Sequence, residues 1–282
     1  MSSDPQIHDQ GYRRYRGRRV AAGHAWSVIA RYHILPTIRR RWFIGLLLFA
    51  WAPFVVRAVL IYVAANVTQA TFLRTTAQTF REFLAQQSFF VFLITIALSG
   101  LIADDRRAHA LQIYLSKPLS RVEYIVGKLV VVLTFLLGVT LLPALMLLLI
   151  QIMFAGSVAF LRENPFLLPA IVLYSIVEAL LSAFALLALS SLSSSRRFVA
   201  IMYAGIIFFT AAMYQALRNM TGSRAWAWMS PTDTLGVIGD AAFRVGGTPA
   251  IPPVVALIVI ALVIAVSIVV LERRVRGIEV VT

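Results

Sequence analysis

Gly127-Lys128 closes a segment that superficially resembles a phosphate-binding loop, in which backbone amides cradle a phosphate and the lysine reaches it. The rest of that pattern is missing. Val122 stands where a glycine is required, and Leu129 where a serine or threonine would reach magnesium. A long apolar run follows at once, so Lys128 reads as a lysine at a span end, its stem in apolar surroundings and its ammonium snorkelling to water. Leu98-Ser99-Gly100 shares three letters with a nucleotide-binding signature but lies inside an apolar run. His8, His24, His33 and His109 have no metal-ligand spacing and are expected on a water-facing surface. The chain has no cysteine, which excludes disulfides, thiolate metal sites and thiol nucleophiles. The methionines are scattered and read as packing. No serine has a nearby histidine and acid for hydrolysis. The expectation is a chain with no catalytic residue, no metal and no cofactor of its own.

Two charges inside apolar runs are more telling, because a charge is costly there and needs a reason. Arg57 and Glu178 each sit within such a run. At 1.5 Å per residue, Arg57 lies about 9–13 Å and Glu178 about 16–18 Å below the same boundary. Long side chains can bridge that difference, giving a buried ion pair or a polar lining of a transport path. Alternatively, Arg57 snorkels to headgroups while Glu178 faces a wet crevice or is protonated. The two residues are too few for a proton relay.

The elements that position these residues follow from composition. Of 282 residues, 60% are hydrophobic and only 13% charged. A soluble domain averages about 45–50% apolar and about 25% charged, so this chain has too little polar surface to coat a soluble globule. Apolar runs of about twenty residues mark membrane spans. Six are expected: Phe43–Val63, Leu84–Ala103, Tyr124–Phe154, Phe166–Leu192, Phe198–Leu217 and Pro253–Leu271. The third and fourth are long enough to tilt or project into water. The reading is an all-α membrane protein with six transmembrane helices. The polar, arginine-rich start lacks the short apolar stretch and cleavage site of a signal peptide, so the first span should be an uncleaved anchor.

The net charge is +14, from 26 Lys and Arg against 12 Asp and Glu. The basic residues collect in alternate loops: the N-terminal region, the loop after span two, Arg196-Arg197, and Arg273, Arg274 and Arg276. That bias places both termini on the cytoplasmic side of a cell membrane. It also accounts for the arginines of Tyr12–Arg19, which need no nucleic-acid partner.

Local signals refine the picture. Ser120-Arg121-Val122-Glu123 fits a capping box opening span three, with Pro118 stopping whatever precedes it. Asn164-Pro165 is expected to open span four as N-cap and first helical residue. Ser230-Pro231-Thr232-Asp233 begins an amphipathic helix at or in the outer leaflet, ended by Gly246-Gly247. Trp226 and Trp228 before it, with Trp26 and Trp42 at the other side, are expected as interfacial anchors. Ala25, Val28, Ile29, Tyr32, Leu35, Ile38 and Trp42 form an apolar stripe on an N-terminal interfacial helix bent near Pro36. The domain reading is a basic N-terminus over residues 1–42, a transmembrane domain over 43–272 and a tail over 273–282. Within the domain lie a loop at 104–123 and an extracytoplasmic helical segment at 226–247.

Asp104-Asp105-Arg106-Arg107-Ala108-His109-Ala110-Leu111-Gln112-Ile113-Tyr114-Leu115-Ser116-Lys117-Pro118-Leu119-Ser120-Arg121, then Glu123-Tyr124 and Gly127-Lys128, resembles the central loop of ABC-2-type permeases. His109 departs from the family pattern, which usually has glycine there. Six spans, the N-terminal helix and the helical segment before the last span are also similar to that family. The resemblance implies an ABC-2 (type V exporter-like) transmembrane domain. In it, the loop is a coupling helix docked on a separate ATPase subunit through Asp104, Asp105, Arg106, Arg107, His109, Leu111, Tyr114 and Leu115. It further implies two copies of the ATP-binding subunit, which carry the ATP and Mg, and a second permease copy or a homologous one. A bacterial inner membrane is the expected site. The chain has no Walker A sequence and no soluble segment long enough for an ATPase domain. An ion-coupled secondary transporter or channel would need charged midplane residues in both halves. A membrane-embedded lipid-modifying enzyme would need a nucleophile or acid cluster near one leaflet.

Overall fold

The computed structural model describes residues 24–66, 75–108, 120–154 and 159–275. Among them every regular element is helical. Six helical spans are long and apolar enough to cross a membrane: Arg41–Asn66, Ala77–Arg107, Arg121–Phe154, Leu167–Leu192, Arg196–Thr221 and Pro253–Arg274. The chain is therefore a multi-pass helical membrane protein. Each expected span is present, and most are extended at their ends by polar or charged turns that hydropathy alone leaves out.

Span four is the centre of the bundle. Of its most apolar stretch 61% is buried, against 17% for spans one and five. It packs on spans two, three, five and six and on the short helix Pro231–Ala242. The exposed faces of the outer spans carry Leu48, Phe49, Val56, Ile201, Phe208, Phe209, Leu262 and Val266, the apolar coat that lipid solvates. The core falls into two halves. One gathers Phe43, Phe90, Ile94, Tyr124, Phe135 and Leu186 near the arginine-rich end. The other gathers Phe83, Leu147, Ile171, Tyr174, Leu235 and Phe243 near the opposite end.

Three spans are interrupted. Span one breaks at Trp51, just before Pro53, into Arg41–Ala50 and Ala52–Asn66. Span three breaks at Thr140, ahead of Pro143. Proline supplies no N–H to the turn before it, which accounts for both positions. Span two breaks at Leu98-Ser99, between Ala77–Ala97 and Gly100–Arg107. A helix end inside a bilayer leaves backbone groups that must find partners within the protein. Gln87 meets the first break, donating from Nε2 to the Ala50 carbonyl at 3.2 Å. The span-two break is held from both sides. Arg196 donates to the Ala97 carbonyl at 2.9 Å. Ser190 Oγ accepts from the N–H groups of Ile102 (3.1 Å) and Ala103 (3.0 Å) and donates to the Ser99 carbonyl at 2.9 Å. Span four thus supplies, from another helix, the cap that Ser99's own side chain does not give.

Some boundaries differ from expectation. Asn164-Pro165 does not open span four: the helix starts at Leu167, and the Asn164 amide turns back to the Phe160 carbonyl at 3.1 Å. The capping box at Ser120–Glu123 is present, with Ser120 Oγ accepting from the Glu123 N–H and Glu123 Oε2 accepting from the Ser120 N–H. The segment at Ser230 is a helix, Pro231–Ala242, with Ser230 as its cap. It is not a surface helix, however. Thr234, Leu235, Val237, Ile238 and Gly239 are buried against spans four and six. Of the expected anchors, Trp42 and Trp228 are about half exposed, and Trp26 and Trp226 are partly buried.

Ser190→Ala should lower the melting temperature clearly, because two buried N–H groups lose their acceptor at about 1–3 kcal/mol each. Ser191→Ala is the control: its hydroxyl donates only to Ala188 in the same helix. Equal melting temperatures for the two variants would remove the capping role of Ser190.

Candidate functional site

Two polar assemblies stand inside the apolar body, one at the arginine-rich end and one between the two core halves.

The first is built on Lys128. Its side chain is fully buried in the first turns of span three, so it does not snorkel. The helix carries it inward because Tyr124, Gly127, Lys128 and Val131 share the buried face. A buried ammonium must direct its donors at acceptors, and three are present. Lys128 Nζ lies 2.6 Å from Asp105 Oδ2, 2.7 Å from the Leu101 carbonyl and 2.7 Å from His33 Nε2. The Tyr124 hydroxyl donates to the same Asp105 oxygen at 2.8 Å.

This cluster joins three elements. Asp105 and Leu101 belong to Gly100–Arg107, the last turns of span two before the loop. His33 belongs to the N-terminal helix Ala25–Ile38, which lies along span three. Further contacts seat that helix. Glu123 Oε1 accepts from the Ala25 N–H at 3.3 Å. Gly127 lets the two helices close, since a Cβ there would stand 2.9 Å from Ile29 and 3.0 Å from the Trp26 carbonyl. His33 was expected on a water-facing surface but is half-buried against Lys128. The ammonium donates, so Nε2 is the unprotonated nitrogen and the ring is neutral. Burial, then the Lys128 charge, holds the imidazole down at about 4 from its ordinary 6.5, against the opposing pull of Asp105. On the other side of the N-terminal helix Val28, Tyr32, Leu35 and Ile38 are exposed, four residues of the expected apolar stripe, whereas Ile29, counted in the same stripe, faces Gly127.

Asp104, Arg106 and Arg107 share the helical segment with Asp105. Arg106 Nη1 is buried without a partner among the described residues. His109, Leu111, Tyr114 and Leu115 lie outside the described residues, as do residues 1–23 and 276–282.

The second assembly corrects the expected Arg57–Glu178 pair. Arg57 donates to the Thr79 carbonyl at 2.9 Å and faces Glu82 at 3.9 Å. Span two separates it from Glu178. Consecutive residues Arg81 and Glu82 project in different directions, so Glu82 meets span one while Arg81 turns inward. Arg81 Nε donates to Asp240 Oδ1 at 2.9 Å and Nη2 to the Gly236 carbonyl at 3.1 Å. Its guanidinium also covers the Tyr174 ring at 5.3 Å. Gly239 makes room for this crossing, since a Cβ there would stand 2.5 Å from Arg81 Nε. Arg81 lies before Leu84, where the sequence predicts the second span to begin, and Asp240 meets it from 159 residues away.

Glu178 shares with Arg81, Ser88 and Tyr174 the wall of a cavity of about 420 Å³. The cavity runs between spans two, four, five and six and the short helix Pro231–Ala242, and its remaining wall is mostly aliphatic and aromatic. Ser88 hydrogen-bonds the Tyr174 hydroxyl at 3.4 Å, while Glu178 Oε2 has no partner among the described residues.

No family model matches the chain, and no curated protein matches it. The geometry is that of a multi-pass membrane protein with one buried polar node at an end and one polar-lined cavity within.

Lys128→Met should destabilise strongly, by about 3–5 kcal/mol, because Asp105 is left buried beside an apolar side chain. The double change Lys128→Met/Asp105→Asn should cost less than Lys128→Met alone. A thermal double-mutant cycle in detergent reads the coupling, and additive effects would reject the pairing.

The seating of the N-terminal helix should also depend on pH. His33 takes a proton more readily when the helix is undocked, so docking is at full strength above about 6.5 and is lost as the pH falls toward about 4. Amide hydrogen exchange over residues 25–38, corrected for its intrinsic pH dependence, should accelerate in that window. His33→Gln should flatten the response.

Proposed function

We propose that this chain is the permease subunit of an ABC transporter of the ABC-2 exporter class, driven by a separate ATPase docked on the loop after span two. The observation that carries this reading is how that loop is rooted. It leaves the bundle from Gly100–Arg107 and re-enters at the capped Ser120. Its near end is tied through Asp105 to Lys128 and Tyr124 of span three, and through Lys128 to His33 of the N-terminal helix. A force applied to residues 108–119 meets a joint that moves spans two and three and the N-terminal helix together. A passive connector between two spans has no use for a buried ammonium with three acceptors.

On this reading both termini and the loop are cytoplasmic, in keeping with the arginine-rich end, and the N-terminal helix lies at the inner leaflet with Val28, Tyr32 and Leu35 toward lipid. The membrane is a bacterial inner membrane. ATP and Mg belong to the ATPase subunit, two copies of which serve a pair of permeases, this chain with itself or with a homologue. Leu111, Tyr114 and Leu115 are the apolar residues assigned to docking. Asp104, Arg106, Arg107 and His109 orient it, since a few apolar or aromatic residues dominate docking energy and charges steer it.

The test is the double variant Leu111→Asp/Tyr114→Asp, purified in mild detergent from its native membranes through a tag on this chain. Mg-dependent, vanadate-sensitive ATP hydrolysis should accompany the wild type and fall more than tenfold in the variant, with the melting temperature of the permease unchanged. Co-purifying hydrolysis that survives the double change, or is missing from the wild type, would overturn the assignment.

A further inference from the structure

Glu178 is an unusual group to find on the wall of an apolar cavity. It is 2% exposed, sits mid-span, and keeps Oε2 without a partner. Burying a polar atom unpaired costs free energy that native structures generally avoid. None of the neighbouring side chains among the described residues reaches that oxygen. The Arg81 donors Nε and Nη2 are committed to Asp240 and the Gly236 carbonyl. The Ser267 hydroxyl donates to its own helix at Val263. Glu178 Oε2 is thus left without a donor among the described residues.

The charges facing that point are Arg81 and, behind it, Asp240. With Glu178 they leave the polar end one acidic group in excess. An anion brought there would meet the Glu178 carboxyl, and the Arg81 charge that could offset it is already paired with Asp240. An alkyl chain would fill the volume and leave Glu178 unpaired. A protonated amine supplies both the donor and the charge. The rest of the wall suits what an amine would carry. Phe92 and Tyr203 lie stacked, centroids 6.0 Å apart and 26° between planes, giving a flat aromatic surface. Val263, Val266 and Leu235 close the other side. A volume of about 420 Å³ is that of a site for a drug-sized molecule. Spans five and six each pack on span four with little contact between them, so the cavity borders a seam that faces the bilayer.

We propose that this cavity binds lipophilic amines, with the ammonium on Glu178 and the aromatic or aliphatic body between Phe92, Tyr203 and span six. On the transport reading the occupant is cargo entering laterally from the membrane. The cargo role rests on that reading, whereas binding does not, because it needs no ATPase.

The experiment uses the full chain alone in lipid nanodiscs and radiolabelled propranolol, a secondary amine on a naphthyl body, with empty nanodiscs as background. Wild type should bind saturably above background, with one site per chain. Glu178→Gln should weaken binding about tenfold or more, the scale of a hydrogen bond to a charged group. Naphthoxyacetate, with the same ring system and the opposite charge, should not compete. Ala185→Phe keeps Glu178 but fills the cavity and should abolish binding, so the proposal stays testable should Glu178→Gln fail to fold. Binding no higher than empty nanodiscs, equal affinity in wild type and Ala185→Phe, equal affinity in a folded Glu178→Gln, or competition by the anion would each overturn it. Wild-type binding without co-purifying ATP hydrolysis would support the site and count against the ABC assignment; the reverse would do the opposite.

Discussion

An ammonium cannot be left in a membrane protein's interior without a full set of acceptors, and Lys128 has three donors and three acceptors within 2.7 Å. Each acceptor comes with a structural demand. Leu101 offers the second lone pair of its carbonyl only if Gly100–Arg107 lies against the first turns of span three. Asp105 reaches Lys128 only if the last turns of span two run on past the break. His33 reaches it only if the N-terminal helix lies close along span three, which needs the missing side chain at Gly127. The local geometry of the arginine-rich end is thus what one buried charge requires.

The same reasoning extends to the interrupted spans. Hydrocarbon offers no hydrogen bonds, so a helix can break only where protein supplies them. At Leu98-Ser99 the suppliers are Ser190 and Arg196, near the end of span four and the start of span five. At Trp51 the supplier is Gln87. These polar side chains look unremarkable in a sequence, yet each is placed opposite a helix end. Their positions make the breaks fixed features of the bundle rather than loose hinges.

What could be read from the sequence follows from how local each signal is. Six spans were legible because length and apolarity are properties of a contiguous run. The capping box at Ser120 and the helix start at Ser230 were legible because donor and acceptor lie within one turn. Lys128 was misread because a lysine near a span end snorkels unless a partner from elsewhere in the chain receives it, and Asp105 and His33 approach only in the folded bundle. Arg57 and Glu178 were matched by depth, but depth fixes one coordinate out of three, and span two with Glu82 stands between them. Arg81 escaped notice for a related reason: its pairing with Asp240 spans 159 residues, and it lies before Leu84, where the sequence predicts its span to begin.

Span four links the two polar assemblies. Ser190, which caps the break beside the Lys128 node, and Glu178, which faces the cavity, lie twelve residues apart on one continuous helix, Leu167–Leu192, a separation of about 18 Å. No break interrupts that stretch, unlike spans one to three. A shift of Gly100–Arg107 changes the three hydrogen bonds to Ser190, and a rigid helix carries such a shift as translation or rotation along its length. Glu178, Ser182 and Ala185 would then move together as one wall of the cavity, while spans five and six, each seated on span four, touch one another little and are bridged by Arg224–Met229 and Pro231–Ala242. Communication between sites needs an element with two arrangements that both sites bias. The seam between spans five and six is where direct contact between spans is slight, and it borders the cavity that Glu178 faces.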